Sequence, residues 1–123
     1  MASGFKDLVV WQKSRLLTKL IYVNTGTYPK EEIYGLVQQM RRSAISIASN
    51  LAEGYGRFGK KEFPHFISMS FASACELENL IILSLDLNFL SQEKADVLTQ
   101  DLHEIMKMLR GLRQSLMKKT NDQ

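Results

Sequence analysis

Apolar residues return every three or four positions along most of the chain, which is the period of an amphipathic helix and not the alternation of a strand. In about residues 7–24, Val9, Leu16, Leu20 and Val23 form a stripe that Val10, Leu17 and Ile21 widen. Asp7 reads as the cap of this helix and Gly26 as its stop. Trp11 and Tyr22 fall on a flank of the stripe, at a core edge or a subunit contact. A second helix is predicted over about residues 30–53, with Pro29 at its first position and Glu31 and Glu32 at the positive end of its dipole. Ile33, Leu36, Val37, Met40, Ala44, Ile47 and Leu51 make its apolar face. Ala44, Ala48 and Ala52 form a shallow strip that another helix can approach closely. Arg42, Ser46, Ser49 and Glu53 run beside it as a polar stripe.

A third helix is predicted over about residues 61–88. Pro64 must lie in its first turn, because deeper inside it would break the hydrogen-bond ladder. One face carries Phe63, Phe66, Ile67, Ser70, Ala74, Leu77, Ile81 and Ser84. A second carries Phe71, Cys75, Ile82, Leu85 and Phe89, which suggests cover from two sides. Glu78 lies within that second row and, if buried, needs a partner. The expectation is a partly buried polar network of Arg41, Arg42, Glu53, Glu76 and Glu78 that fixes helix register. A fourth helix is predicted over about residues 92–118, capped by Ser91. Its seam is Ala95, Leu98, Leu102, Ile105, Leu109, Leu112 and Leu116 at heptad spacing. Four such helices with short connections imply an all-α, antiparallel up-down-up-down four-helix bundle occupying residues 1–123 as one domain.

The segment GYGRFG, with Gly54, Gly56 and Gly59, matches the dinucleotide-binding pattern G-x-G-x-x-G. That pattern works only between a strand and a helix, where the pyrophosphate meets the helix N-terminus. Here it follows a long helical pattern, so no cofactor is expected. Gly54 reads instead as a left-handed helix stop, with Gly56 and Gly59 reversing the chain.

At this point the sequence resembles a known family. The stretches DLVVWQKS, YPKEEIYGLVQQMRRSAISIASNLAEGYGR and EFPHFISMSFASACELENLI look like the bacterial four-helix-bundle proteins named for the intervening sequences of 23S ribosomal RNA genes, over roughly residues 5–115. One departure is Ile47-Ala48-Ser49-Asn50, where those proteins usually have an Ile-Pro-Ser-Asn type sequence, so an expected kink is missing. The resemblance implies antiparallel bundles assembled as ring-shaped homo-pentamers. A more distant likeness is to the accessory protein of diversity-generating retroelements, a basic pentamer that binds a reverse transcriptase and nucleic acid.

Composition changes this picture little, and charge changes it more. The 123 residues carry a net charge of +3 with one cysteine, Cys75. That cysteine cannot form an intrachain disulfide, and no signal-peptide run opens the chain, so a cytoplasmic protein with no membrane association is expected. Bases concentrate in three places. Residues 1–30 hold five bases and one acid. Residues 41–61 hold Arg41, Arg42, Arg57, Lys60 and Lys61 against Glu53. Residues 107–119 hold Lys107, Arg110, Arg113, Lys118 and Lys119 with no acid. Residues 62–104 are the reverse, with eight acids and one base.

Catalysis finds little support. His65 and His103 lack metal-ligand spacing, His103 and Glu104 read as a solvated pair, and Cys75 lies among apolar residues where a thiol is inert. No catalytic, metal or cofactor site is expected. Two non-enzymatic classes stay open. One is an oligomeric accessory protein that binds the RNA or DNA backbone. It would use Arg57, Lys60 and Lys61, with free amides nearby, and Arg110, Arg113, Lys118 and Lys119. The other is a scaffold whose partner is a protein.

Overall fold

The computed structural model describes residues 4–121. Four α-helices fill it: α1 (Val9–Thr25), α2 (Leu36–Tyr55), α3 (Glu62–Asp86) and α4 (Gln92–Asn121), with 3₁₀ turns at Phe5–Asp7 and Lys30–Glu32. Among the described residues there is no strand. The chain is an all-α four-helix bundle. Residues 1–3 and 122–123 lie outside the described residues.

The helix ends depart from the sequence reading in instructive ways. α1 starts after Leu8, and no side-chain cap serves it, so Asp7 is not its cap. The preceding turn is tied on by Gln12, whose side-chain amide donates to the Lys6 carbonyl at 2.8 Å. α2 starts at Leu36, later than expected. Pro29 opens the 3₁₀ turn instead, and Glu32 still serves the helix start: its Oε2 accepts from the Leu36 amide at 3.3 Å. Gly54 is not a left-handed stop. It lies inside α2 and is buried, and a Cβ there would come within 2.4 Å of the Phe66 Cβ. Its role is close approach of α2 to α3. Pro64 lies in the first turn of α3 as expected, where its missing amide hydrogen costs nothing. The left-handed residue is Asn88, with φ 63°. It closes α3 with Phe89 N donating to Ser84 O (2.9 Å) and Asn88 N to Leu85 O (3.1 Å), the double bond pattern of a Schellman end. Ser91 caps α4 as expected, accepting from the Lys94 amide at 3.2 Å.

Cross-helix contacts fix the packing. Ser84 meets Met40, Ser70 donates to the Ile47 carbonyl (2.7 Å), and Gly54 meets Phe66, so α2 and α3 run antiparallel. Glu78 meets His103, and Ile67 shares a groove with Arg113, so α3 and α4 do the same. Lys13 pairs with Glu104 at 2.8 Å between α1 and α4. The core holds Leu17 and Ile21 of α1, Met40, Ile47 and Leu51 of α2, Ile67, Leu77 and Ile81 of α3, and Leu98, Leu102, Ile105 and Leu109 of α4. Each buried side chain of this size contributes roughly 1.5–3 kcal/mol. Ser70 and Ser84 are fully buried with their hydroxyls bonded to backbone carbonyls, so their burial leaves no donor stranded. α2 runs unbroken through Ala48, where the family's usual proline would sit.

Two expectations about buried faces are corrected. On α1 the interior row is Val10, Ser14, Leu17, Ile21 and Thr25. Val9, Leu16 and Val23 are 52–64% exposed, each seven residues from the next. On α3, Phe71 and Leu85 pack against the core edge, but Ile82 and Cys75 are exposed. α3 is long and apolar enough to cross a membrane by length and composition; in this fold it packs against α2 and α4 as a core helix.

Candidate nucleic-acid interface

The segment between α2 and α3 is a short turn whose backbone is internally bonded. Arg57 N donates to Gly54 O at 3.1 Å, and Gly59 N donates to Glu62 Oε2 at 2.8 Å. The amides of Arg57 and Gly59 are therefore taken, contrary to the expectation of free donors in this loop. Gly59 has a steric reason: a Cβ would sit 2.7 Å from that same Glu62 oxygen.

The side chains of the loop are exposed. Arg57 is not wholly available, however. Its guanidinium pairs with Glu53 at 2.8 Å and lies 5.0 Å over the Phe66 ring. With Glu53 and Glu62 counted against Arg57, Lys60 and Lys61, the loop carries a net +1. The end of α4 is a stronger source of field. Lys107, Arg110, Arg113, Lys118 and Lys119 are all exposed, with no acid among residues 105–119. Arg110 lies 5.1 Å over the Phe71 ring. Arg110, Arg113, Gln114 and Ser68 rim an open groove of about 270 Å³ floored by Ile67, Phe71 and Leu109.

The antiparallel packing brings these two basic groups to one end of the bundle. Ile67 faces Arg113 across that groove. Five residues back along α3 is Glu62, and five residues on along α4 is Lys118, an equal rise of about 7–8 Å on each helix. The 3₁₀ turn bearing Lys6 also sits here, since Gly4 packs against Tyr55.

The expected polar network does not form. Arg41 turns to α1: its Nε donates to Thr25 Oγ1 (3.0 Å), its Nη2 to the Tyr22 carbonyl (3.3 Å), and its guanidinium stacks 4.4 Å over the Tyr22 ring. Glu78, half-buried, pairs with His103 of α4 and not with an arginine. Glu53 pairs with Arg57. Arg42 and Glu76 are exposed and enter no ion pair among the described residues. The reason is direction: the arginines lie on the α1 side of α2, and Glu78 lies on the α4 side of α3. The same logic separates His103 from Glu104, which pairs with Lys13. Cys75, expected among apolar cover, is exposed. Among the described residues, no three His, Cys, Asp or Glu side chains cluster to hold a metal.

The sequence reading also passed over Phe58. Its ring is fully exposed between Arg57 and Gly59. The available signal was an aromatic residue inside a glycine turn, outside any helical period.

The 23S rRNA-intervening sequence protein family matches residues 6–111, nearly all of the bundle. The chain belongs to this family. A similar solved structure is a protein of unknown function from the S23 ribosomal protein family of Bacteroides thetaiotaomicron. It is 21% identical, covers 85% of this chain and 98% of its own, and has a TM-score of 0.78. At that identity the likeness speaks for the fold alone. No curated protein matches the chain by sequence. Neither the family description nor the solved structure points to a catalytic family.

Proposed function

We propose that this family member is a non-enzymatic bundle protein that assembles as a homo-pentamer and binds the RNA or DNA backbone through its basic end. The observation that carries the reading is the acid-free run of five exposed bases on the last turns of α4, beside the basic loop. Lysine and arginine on one surface attract phosphates without reading bases, and affinity then depends steeply on salt. A few phosphate contacts per subunit are weak alone. A ring repeats the patch, and one strand spanning several patches gains avidity. The family's tie to the 23S rRNA intervening sequence fits this reading. A free, exposed thiol at Cys75 suits a reducing, cytoplasmic setting.

The test is a salt series with labelled RNA and DNA on the wild type, on an Arg110/Arg113/Lys118/Lys119→Ala variant and on an Arg57/Lys60/Lys61→Ala variant. Log affinity should fall linearly with log salt, by about 0.9 per phosphate contact on duplex DNA. Both variants should have shallower slopes, the α4 variant the shallowest. No binding at about 50 mM salt, where such contacts are strong, overturns the reading.

The second reading, a scaffold for a protein partner, is favoured by a different observation. Val9, Leu16 and Val23 form an exposed apolar row at heptad spacing, the pattern on which another helix packs. In the proposed ring that partner is a neighbouring subunit. If nucleic acid does not bind, the row is the better guide to function.

A further inference from the structure

We infer that Phe58 is a stacking platform for an unpaired base, so that the nucleic acid taken by the basic end is single-stranded. The inference rests on the backbone-binding reading above and deepens it by naming the strand form.

Four phenylalanine and tyrosine residues lie between Tyr55 and Phe66, and three are engaged. Tyr55 and Phe63 pack edge to face at 5.8 Å, and Phe66 lies beneath Arg57. Phe58 differs: its relative exposure is 103%, so the fold covers none of its ring. Nor does it hang from a loose segment. The residue before it is anchored by Arg57 N to Gly54 O and the residue after it by Gly59 N to Glu62 Oε2. A ring presented on a bonded turn loses little freedom when it meets a partner.

The surroundings select that partner. An isolated ring flanked by Arg57, Lys60 and Lys61 is a poor dock for an apolar protein surface, which would have to desolvate the charges around it. A nucleotide offers what the site lacks on both counts, a flat apolar face and a phosphate on either side. In a duplex the base faces are stacked on one another and closed to a side chain. In a single strand they are open, and stacking on aromatic side chains tolerates any base.

The experiment compares a labelled oligouridine strand with duplex RNA carrying the same number of phosphates, on the wild type, Phe58→Ala and Phe58→Trp. The wild type should prefer the single strand. Phe58→Ala should weaken single-strand binding by about fivefold or more, leave duplex binding unchanged, and leave the salt slope intact, because no phosphate contact is removed. Phe58→Trp should keep the affinity and show fluorescence quenching on adding oligouridine beyond any seen with the wild type's Trp11. If the wild type binds both RNAs and Phe58→Ala binds them equally well, the stacking inference is wrong and the backbone reading survives. If the wild type binds neither, the backbone reading fails and this inference with it. If Phe58→Ala instead lowers the assembly mass in light scattering, Phe58 belongs to a subunit contact and the inference is overturned.

Discussion

Gly54 of α2 lies directly against Phe66 of α3: a Cβ on Gly54 would stand 2.4 Å from the Phe66 Cβ and 3.0 Å from the Phe63 ring. The nearest atom is a Cβ, fixed to the backbone, so rotation of a side chain cannot relieve the clash. The helices themselves must separate. Alanine at a helical glycine would ordinarily stabilise by up to about 1 kcal/mol through propensity. Here the overpacking should win, and Gly54→Ala should destabilise by about 1–3 kcal/mol net. Denaturant unfolding decides it, and a variant as stable as the wild type would remove the close-approach explanation of this glycine.

Arg41 and Arg42 are neighbours in sequence with unequal duties. Arg41 bonds the Tyr22 carbonyl in the last turn of α1 and the Thr25 hydroxyl, at the negative end of that helix dipole. Arg42 is exposed and unpaired among the described residues. Arg41→Ala should cost about 1–2 kcal/mol, and Arg42→Ala should stay within about 0.5 kcal/mol of the wild type. Equal effects in thermal unfolding would refute the assignment.

Tyr28 is 7% exposed, tilted against Phe89, and its buried hydroxyl makes no hydrogen bond of normal geometry, although the Ser84 side chain is its polar neighbour. Burial pushes its pKa above the ordinary 10.0, and the Ser84 hydroxyl only partly opposes this. The sign follows from proton counts. Above pH 10 the unfolded chain loses the phenol proton while the folded chain keeps it, so stability falls as pH rises through that range. Tyr28→Phe should be close to neutral or slightly stabilising at pH 7, because it removes an unpartnered polar group. It should also flatten the alkaline decline. Stability curves for the two proteins that fall in parallel above pH 10 would show that Tyr28 is not the group responsible.

Leu16 is 63% exposed at the centre of the row Val9, Leu16 and Val23. If neighbouring subunits pack there, Leu16→Glu should lower the mass measured by light scattering while helicity by circular dichroism is kept. A wild type that is already monomeric at micromolar concentration would remove the ring from the proposed function.

The sequence by itself determined the elements and most of the core. The period of Ala95, Leu98, Leu102, Ile105 and Leu109 is enough to name α4 and its inward face, because a helix repeats its own geometry whatever it packs against. The Ser91 cap and the place of Pro64 are likewise local matters, settled within one turn of backbone. The basic run on α4 was legible as charge for the same reason.

Only the tertiary structure decided which side chains meet. α1 carries two apolar rows of similar strength, and nothing in its period says that Val10, Leu17 and Ile21 turn inward while Val9, Leu16 and Val23 face water. Glu78 needs a cationic or hydrogen-bonding partner by its chemistry, but whether that is Arg42 or His103 depends on which helix passes its face of α3. Gly54 is the sharpest case. As a sequence signal it ends a helix; in the fold it continues one, because the residue that explains it, Phe66, lies on another helix. Pairings between helices depend on rotation and register, and those are fixed by the sum of all contacts at once and not by any one segment.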